Sequence, residues 1–162
     1  VNSLIQRVLT LTSGRLAKLG IYVEQDLCDP LPNVHGHPDE LVQVFLNLVI
    51  NAIEAMPNGG SLFLRTSVGR ERVSGWGEHL PAPVVIEIAD TGTGMPPAVQ
   101  SHIFEPFFTT KDQGTGLGLF VCQTIIHQHG GTMLVRSQEG EGTTFTIRLP
   151  LPELAELPEP HP

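Results

Sequence analysis

Residues 41–56 read Leu-Val-Gln-Val-Phe-Leu-Asn-Leu-Val-Ile-Asn-Ala-Ile-Glu-Ala-Met. Apolar residues recur at helical intervals, and Pro57-Asn58-Gly59-Gly60 closes the run, so the pattern predicts a helix over 38–56. Pro38 suits its first turn, where a missing N–H costs little. Leu41, Val44, Phe45, Leu48, Ala52 and Ala55 form the face expected to pack on a sheet. Beside it Gln43, Asn47, Asn51 and Glu54 make a polar stripe. Asn is a middling helix former, so propensity does not explain two of them one turn apart. Either they are solvated surface residues, or their carboxamide oxygens serve a ligand.

Outward from this helix the chain alternates short elements. Leu4, Val8, Leu11 and Leu19 predict an amphipathic helix over 2–19, with Gly14 weakening its middle. Residues 21–27 alternate as a half-buried strand (Ile21, Val23, Gln25, Leu27), and 29–37 is a Pro- and Gly-punctuated loop. Strands are expected at 61–68 and 84–89, separated by a long surface loop, 69–83, that carries Trp76. A short helix at 96–102, an aromatic loop at 104–113 and a second strong helix at 117–129 follow. A closing hairpin pairs 132–137 with 143–149, and the Pro- and Glu-rich tail 151–162 is expected to be disordered. Strands adjoin without strict strand–helix alternation, so the natural solution is a mixed sheet with helices on one face.

Composition narrows the function. The 162 residues fit one domain, with 40% hydrophobic residues and a net charge of −8. No basic stripe is present, which counts against nucleic acid, since neutralising phosphates takes clustered Lys and Arg. No apolar run approaches the roughly 18–20 residues that span a bilayer, and no leader precedes the first helix, so a cytoplasmic chain without direct membrane contact is expected. Cys28 and Cys122 lie in no metal-ligand spacing and read as reduced, buried thiols.

Two further motifs give the asparagines a context. Asp90-Thr-Gly-Thr-Gly94 ends an apolar strand, where a carboxylate can accept a hydrogen bond from an adenine amino group and Gly92 and Gly94 let backbone approach the ring. Alone, Asp-Thr-Gly is a common turn. Gly114-Thr-Gly-Leu-Gly118 opens the second strong helix, where backbone amides make a phosphate cradle. Its spacing matches neither the dinucleotide fingerprint nor the P-loop. Lys111 brings either the positive charge a triphosphate needs or one more exposed lysine. With these in register, Asn47 and Asn51 suit a magnesium ion that keeps most of its waters and bridges ATP phosphates. Phe104, Phe107 and Phe108 are three of seven phenylalanines, and either anchor a mobile lid or fill core. No histidine recurs at metal-ligand spacing; His127 and His129 are expected to interact with the C-terminal end of their helix.

These motifs resemble, in order and spacing over residues 38–150, the catalytic, ATP-binding domain of bacterial sensor histidine kinases, within the wider group sharing the Bergerat nucleotide fold. Leu46-Asn-Leu-Val-Ile-Asn-Ala-Ile-Glu-Ala55 resembles the N box, Ala89-Asp-Thr-Gly-Thr-Gly-Met-Pro96 the first glycine box and Ile103-Phe-Glu-Pro-Phe-Phe-Thr-Thr-Lys111 the F box. Gly114 to Leu119 resembles the second glycine box, and residues 140–150 the closing strand motif. Nitrogen-regulation-type kinases are the nearest in pattern.

The resemblance implies a two-layer α/β sandwich, a mixed five-stranded sheet over three helices, with ATP between the N-box helix and a lid at 96–115. Asn51 would bind magnesium with Asn47 near it, Asp90 would hold the adenine, and Thr143 would support that contact through water. Gly114, Gly116, Gly118 and Lys111 would hold phosphates, with Asn51 and Lys111 acting on the transferring group. Ala55, Gly92, Gly94, Met95, Thr115, Leu117 and Leu119 would complete the pocket. Residues 1–19 would join a helical dimerisation domain that carries the acceptor histidine, residues 20–150 would form the ATP-binding domain, and a response-regulator receiver domain would act downstream. The isolated domain is expected to be monomeric and the full protein a homodimer.

Three departures stand out. Glu54 and Ala55 replace a basic and an aromatic residue common in relatives; Gly36-His37-Pro38 replaces Gly-Asp-Pro; and no histidine here sits in a phosphoacceptor motif. ATP-hydrolysing members place Glu where this chain has Asn47, which cannot act as a base. Transfer to a histidine is therefore favoured over hydrolysis, with a non-catalytic nucleotide-sensing or partner-binding module as the alternative.

Overall fold

The computed structural model describes residues 1–70, 72–73, 79–80, 82–111 and 114–152. The elements are α1 (Asn2–Leu19), β1 (Ile21–Leu27), α2 (Pro38–Ala55), β2 (Gly60–Val68), β3 (Arg72–Val73), β4 (His79–Leu80), β5 (Val84–Asp90), α3 (Pro97–Gln100), α4 (Gly118–Gln128), β6 (Thr132–Gln138) and β7 (Gly142–Leu149). Five strands form one mixed sheet in the order β1-β2-β5-β7-β6. The β1–β2 pair is parallel, as a crossover through α2 requires, and the other three pairings are antiparallel. The short antiparallel pair β3–β4 lies within the expected 69–83 loop; Trp76 and the tail 153–162, with His161, fall outside the described residues.

Helices cover one face of the sheet. Along β5, Val84, Ile86 and Ile88 are buried against α2, which contributes Leu41, Val44, Phe45, Leu48, Val49, Ala52 and Ile53. The opposite face carries Tyr22, 76% exposed, and the ladder Asp26–Arg65–Glu87, whose nitrogen–oxygen distances are 2.9 and 3.8 Å. Ala55, expected on the packed face, is only half-buried and turns to the cleft described below; Met56 takes the core position at the helix end.

Helix α1 is rotated from the expected face. Ile5, Val8, Thr12 and Leu16 are buried, whereas Leu11 is 63% exposed. Thr12 is tolerated there because its hydroxyl donates to the Val8 carbonyl at 2.9 Å, leaving its methyl to pack. The same core therefore runs through α1 and the rest of the chain. Cys122 is buried as expected, but Cys28 is only half-buried, at the end of β1.

His37 caps α2 without a side-chain hydrogen bond. Instead its backbone N–H donates to His129 Nε2 at 3.0 Å, and His129 Nδ1 lies 2.8 Å from the Ile125 carbonyl. Accepting at Nε2 and donating at Nδ1 requires the neutral ring, which ties the end of α4 to the start of α2. The expected contact of His129 with its own helix end is present, and it has this second partner.

Candidate functional site

Asn51 and Glu54 of the α2 stripe, with the ends of β5 and β7, face one cleft of about 800 Å³, within the size range of small-molecule sites. Its sheet side carries Asp90, Thr143 and Phe145; its helix wall is Asn51, Glu54 and Ala55. The segment between β5 and α4 covers it with Met95, Val99, Ile103, Phe108, Lys111, Gly114, Thr115 and Gly116, and α4 adds Gly118 and Leu119.

Asp90 is the last residue of β5 and 9% exposed. Its Oδ1 accepts the Gly92 N–H at 2.8 Å, an Asx-type turn that fixes the carboxylate as the chain leaves the sheet. Burial raises the Asp90 carboxyl above its ordinary value, while backbone N–H groups of Gly92 and Thr143 oppose the shift. Thr143 pairs with Asp90 across β5–β7 and with Ser137 across β7–β6, and the two hydroxyl oxygens are 2.9 Å apart. Ser137 Oγ also accepts the Met95 N–H at 2.8 Å, and Gln100 donates to the carbonyls of Met95 and Ser137 at 2.9 and 2.8 Å. The base of the covering segment is thus sewn to β6.

The glycines have a physical reason beyond ligand approach. Gly94 has φ +63°, and a Cβ there would overlap the Gln138 carbonyl. Gly116, at φ +68°, lies against Phe107, whose N–H donates to its carbonyl at 2.9 Å; a Cβ would overlap the Phe107 carbonyl carbon. Gly118 differs: only Asn47 Oδ1, at 3.9 Å, comes near its vacant Cβ position, so this glycine leaves space at the start of α4. The first turn of α4 has no side-chain cap, which leaves its backbone amides available to an anion.

At the other end of the cleft, Lys111 Nζ donates to Asn51 Oδ1 at 3.0 Å and to Glu54 Oε2 at 2.5 Å. Arg15 of α1 approaches the second Glu54 oxygen at 3.8 Å. Asn51 therefore presents an amide oxygen that already holds a cationic group. Asn47 stands one turn back and does not line the cleft. It faces α4 beside Gly118. Burial pushes the nearby Cys122 thiol up to about 11, with the Asn47 side chain opposing the shift, and the thiol lies 3.9 Å from the Val44 carbonyl.

Of the residues expected at the site, Asn51, Ala55, Asp90, Gly94, Met95, Lys111, Gly114, Thr115, Gly116, Gly118, Leu119 and Thr143 line one cavity; Asn47, Gly92 and Leu117 lie outside its lining. Sequence reasoning did not place Glu54, Thr93, Val99, Ile103, Thr109, Thr110 or Phe145 there. Glu54 had a signal in its position in the α2 stripe, and Thr93, Ile103, Thr109 and Thr110 in their places within the first glycine box and the F box. Of the three phenylalanines, Phe108 lines the cleft, Phe104 packs against the core, and Phe107 is 74% exposed with φ 68°. Among the described residues no cluster of three His, Cys, Asp or Glu exists to hold a metal unaided, and no helix is long and apolar enough to cross a membrane.

Comparison with known proteins agrees with this geometry. Residues 36–153 match the family of histidine kinase-, DNA gyrase B- and HSP90-like ATPases. The sensor histidine kinase ZraS of Escherichia coli (strain K12) is 42% identical over 151 residues, covering 93% of this chain and 30% of ZraS. The catalytic domain of histidine kinase ThkA superposes with a TM-score of 0.76 at 31% identity, over 93% of this chain and 91% of that one. Full-length ShkA in complex with AMPPNP gives a TM-score of 0.74 at 30% identity, over 91% of this chain and 29% of that one. The chain spans only 20% to 40% of the length of the curated relatives it matches. Sheet order, cleft, motif set and these likenesses converge: the chain belongs to the histidine kinase-, DNA gyrase B- and HSP90-like ATPase family, on its sensor histidine kinase side.

Proposed function

We propose that this chain is the ATP-binding catalytic domain of a two-component sensor histidine kinase, which passes the γ-phosphoryl group of Mg·ATP to a histidine on a helical dimerisation domain. The observation that carries this reading is the placement, in one cleft, of a buried carboxylate, Asp90, and a cation-holding amide, Asn51, joined to a lysine of the covering segment. Asp90 accepts a hydrogen bond from the adenine amino group. Lys111 and the amides at the start of α4 hold phosphate oxygens, and Phe108, Ile103 and Leu119 supply the apolar wall that excludes water.

The residues fit a magnesium ion, because Asn51 Oδ1 and a Glu54 oxygen already share an ammonium group between them. Magnesium, when bound, neutralises the phosphates and fixes their oxygens. Asn47 cannot deprotonate water, whereas a neutral imidazole needs no base from this domain to attack phosphorus. In the transfer a phosphorus–nitrogen bond forms, the bond to the β-bridging oxygen breaks, and ADP leaves with that electron pair. Positioning and charge neutralisation dominate such a step.

The parent protein is proposed to act in the cytoplasm as a homodimer, joined through α1 to its dimerisation helices and passing phosphate to a receiver domain. The test mixes this chain with a separately made dimerisation domain and γ-labelled ATP. Label on histidine is expected, with almost no phosphate release by this chain alone. Tight nucleotide binding without transfer would instead indicate a sensing module, and steady phosphate release a hydrolase.

A further inference from the structure

Glu54 is a carboxylate in the wall of a cleft read here as a polyphosphate site, within an acidic chain of net charge −8. Like charges at such a place weaken binding unless a cation intervenes. Lys111 intervenes in this structure. Its ammonium bridges Glu54 Oε2 and Asn51 Oδ1, so the one lysine of the covering segment and the cation-binding amide are engaged with each other.

We propose that Glu54 makes the cleft selective for metal-loaded nucleotide, by holding Lys111 on Asn51 until another cation replaces the ammonium. The proposal rests on the nucleotide reading above and extends it. With metal-free ATP, Lys111 reaches the phosphates only by leaving Glu54, whose Oε2 then faces the polyphosphate without its ammonium partner. With a divalent cation seated on Asn51, Lys111 is released while Glu54 keeps a positive neighbour. Arg15 of α1 lies 3.8 Å from the other Glu54 oxygen and biases the carboxylate toward this position.

Stability does not account for the arrangement. The Glu54 and Lys111 side chains are 38% and 49% exposed, and pairs of that kind contribute little to folding. That weakness is what an exchangeable contact requires. Glu54 is thus a positioning residue, acting on the phosphates through Lys111 and on the metal through Asn51.

The experiment is titration calorimetry of the whole chain with adenosine, with ATP in excess EDTA, and with Mg·ATP. It compares the wild type with Glu54→Gln and Glu54→Asp. Glu54→Gln is expected to tighten metal-free ATP by about twofold to fivefold, the scale of one exposed charge contact. Mg·ATP changes less, so the preference for metal-loaded nucleotide shrinks by a similar factor. Glu54→Asp keeps the wild-type preference, and adenosine, which lacks phosphates, binds all three proteins alike. An unchanged preference in Glu54→Gln overturns the inference while leaving the nucleotide site intact. A wild type that binds none of the three ligands overturns the nucleotide reading, and the inference with it.

Discussion

Asp90 and Thr143 are directly paired residues of β5 and β7, both buried, with the Thr143 hydroxyl in turn 2.9 Å from that of Ser137. The sheet itself therefore aims the carboxylate and a hydroxyl row at one end of the cleft. Substituting Asp90→Asn keeps an acceptor for the Gly92 N–H but sets a donor against the adenine amino group. Losing a charge-assisted hydrogen bond and gaining an unmatched donor should weaken ATP by about 10- to 100-fold. The free domain should melt at least as high as the wild type at neutral pH, measured by thermal denaturation, because no buried charge remains.

The same carboxylate sets two opposite pH trends. Its pKa is raised on folding, so between the unfolded and folded values the native state binds more protons than the unfolded chain. Its contribution to stability is full below the unfolded value and is lost as pH rises through the folded one. Nucleotide affinity runs the other way, since the adenine acceptor must be ionised. Binding isotherms should weaken on acidification starting above the ordinary aspartate range, and Asp90→Asn should remove that onset.

Phe107 holds φ 68° while its side chain is 74% exposed, against the Gly116 backbone. A left-handed non-glycine residue costs about 1–2 kcal/mol, and glycine returns part of that as unfolded-state entropy. Phe107→Gly should raise the melting temperature by about 2–4 °C for roughly 1 kcal/mol. Phe107→Ala, which keeps a Cβ, should bring no comparable gain.

His129 joins two helix ends, and its side chain is 3% exposed. His129→Ala would strand the His37 N–H and leave a cavity, at a cost of about 2–3 kcal/mol by urea denaturation. The residue is remote from the cleft lining, so adenosine affinity should be unchanged where the variant remains folded.

Much of this was legible because it is local. The 3.6-residue period of α2, its amide stripe, and the short runs around Asp90 and Gly114 each lie within one element or turn. The buried face of α1 was not legible: Leu4, Leu9, Leu11, Leu16 and Leu19 spread around the helix, and only packing against α2 and the sheet selects Ile5, Val8, Thr12 and Leu16. The glycines suggest room for a ligand, yet Gly94 is demanded by the Gln138 carbonyl, which arrives from a distant strand, and Gly116 by the Phe107 backbone folded back within the same loop. Ala55 looked like core by spacing alone, but the sheet ends beneath it and the cleft begins. The Lys111–Glu54 pair joins residues 57 positions apart and leaves no trace in either local pattern.

The central claim is that a purine triphosphate lies between Asp90 and Asn51 and is held there through a divalent cation. Calorimetric titration with Mg·ATP, of the wild type and of Asn51→Ala, tests it most directly. Saturable heat is expected for the wild type, and a loss of about 10- to 100-fold in affinity for Asn51→Ala, with adenosine binding retained and Glu54→Ala far milder toward Mg·ATP. No heat beyond dilution from folded wild-type protein, or equal effects of Asn51→Ala and Glu54→Ala on Mg·ATP, would contradict it.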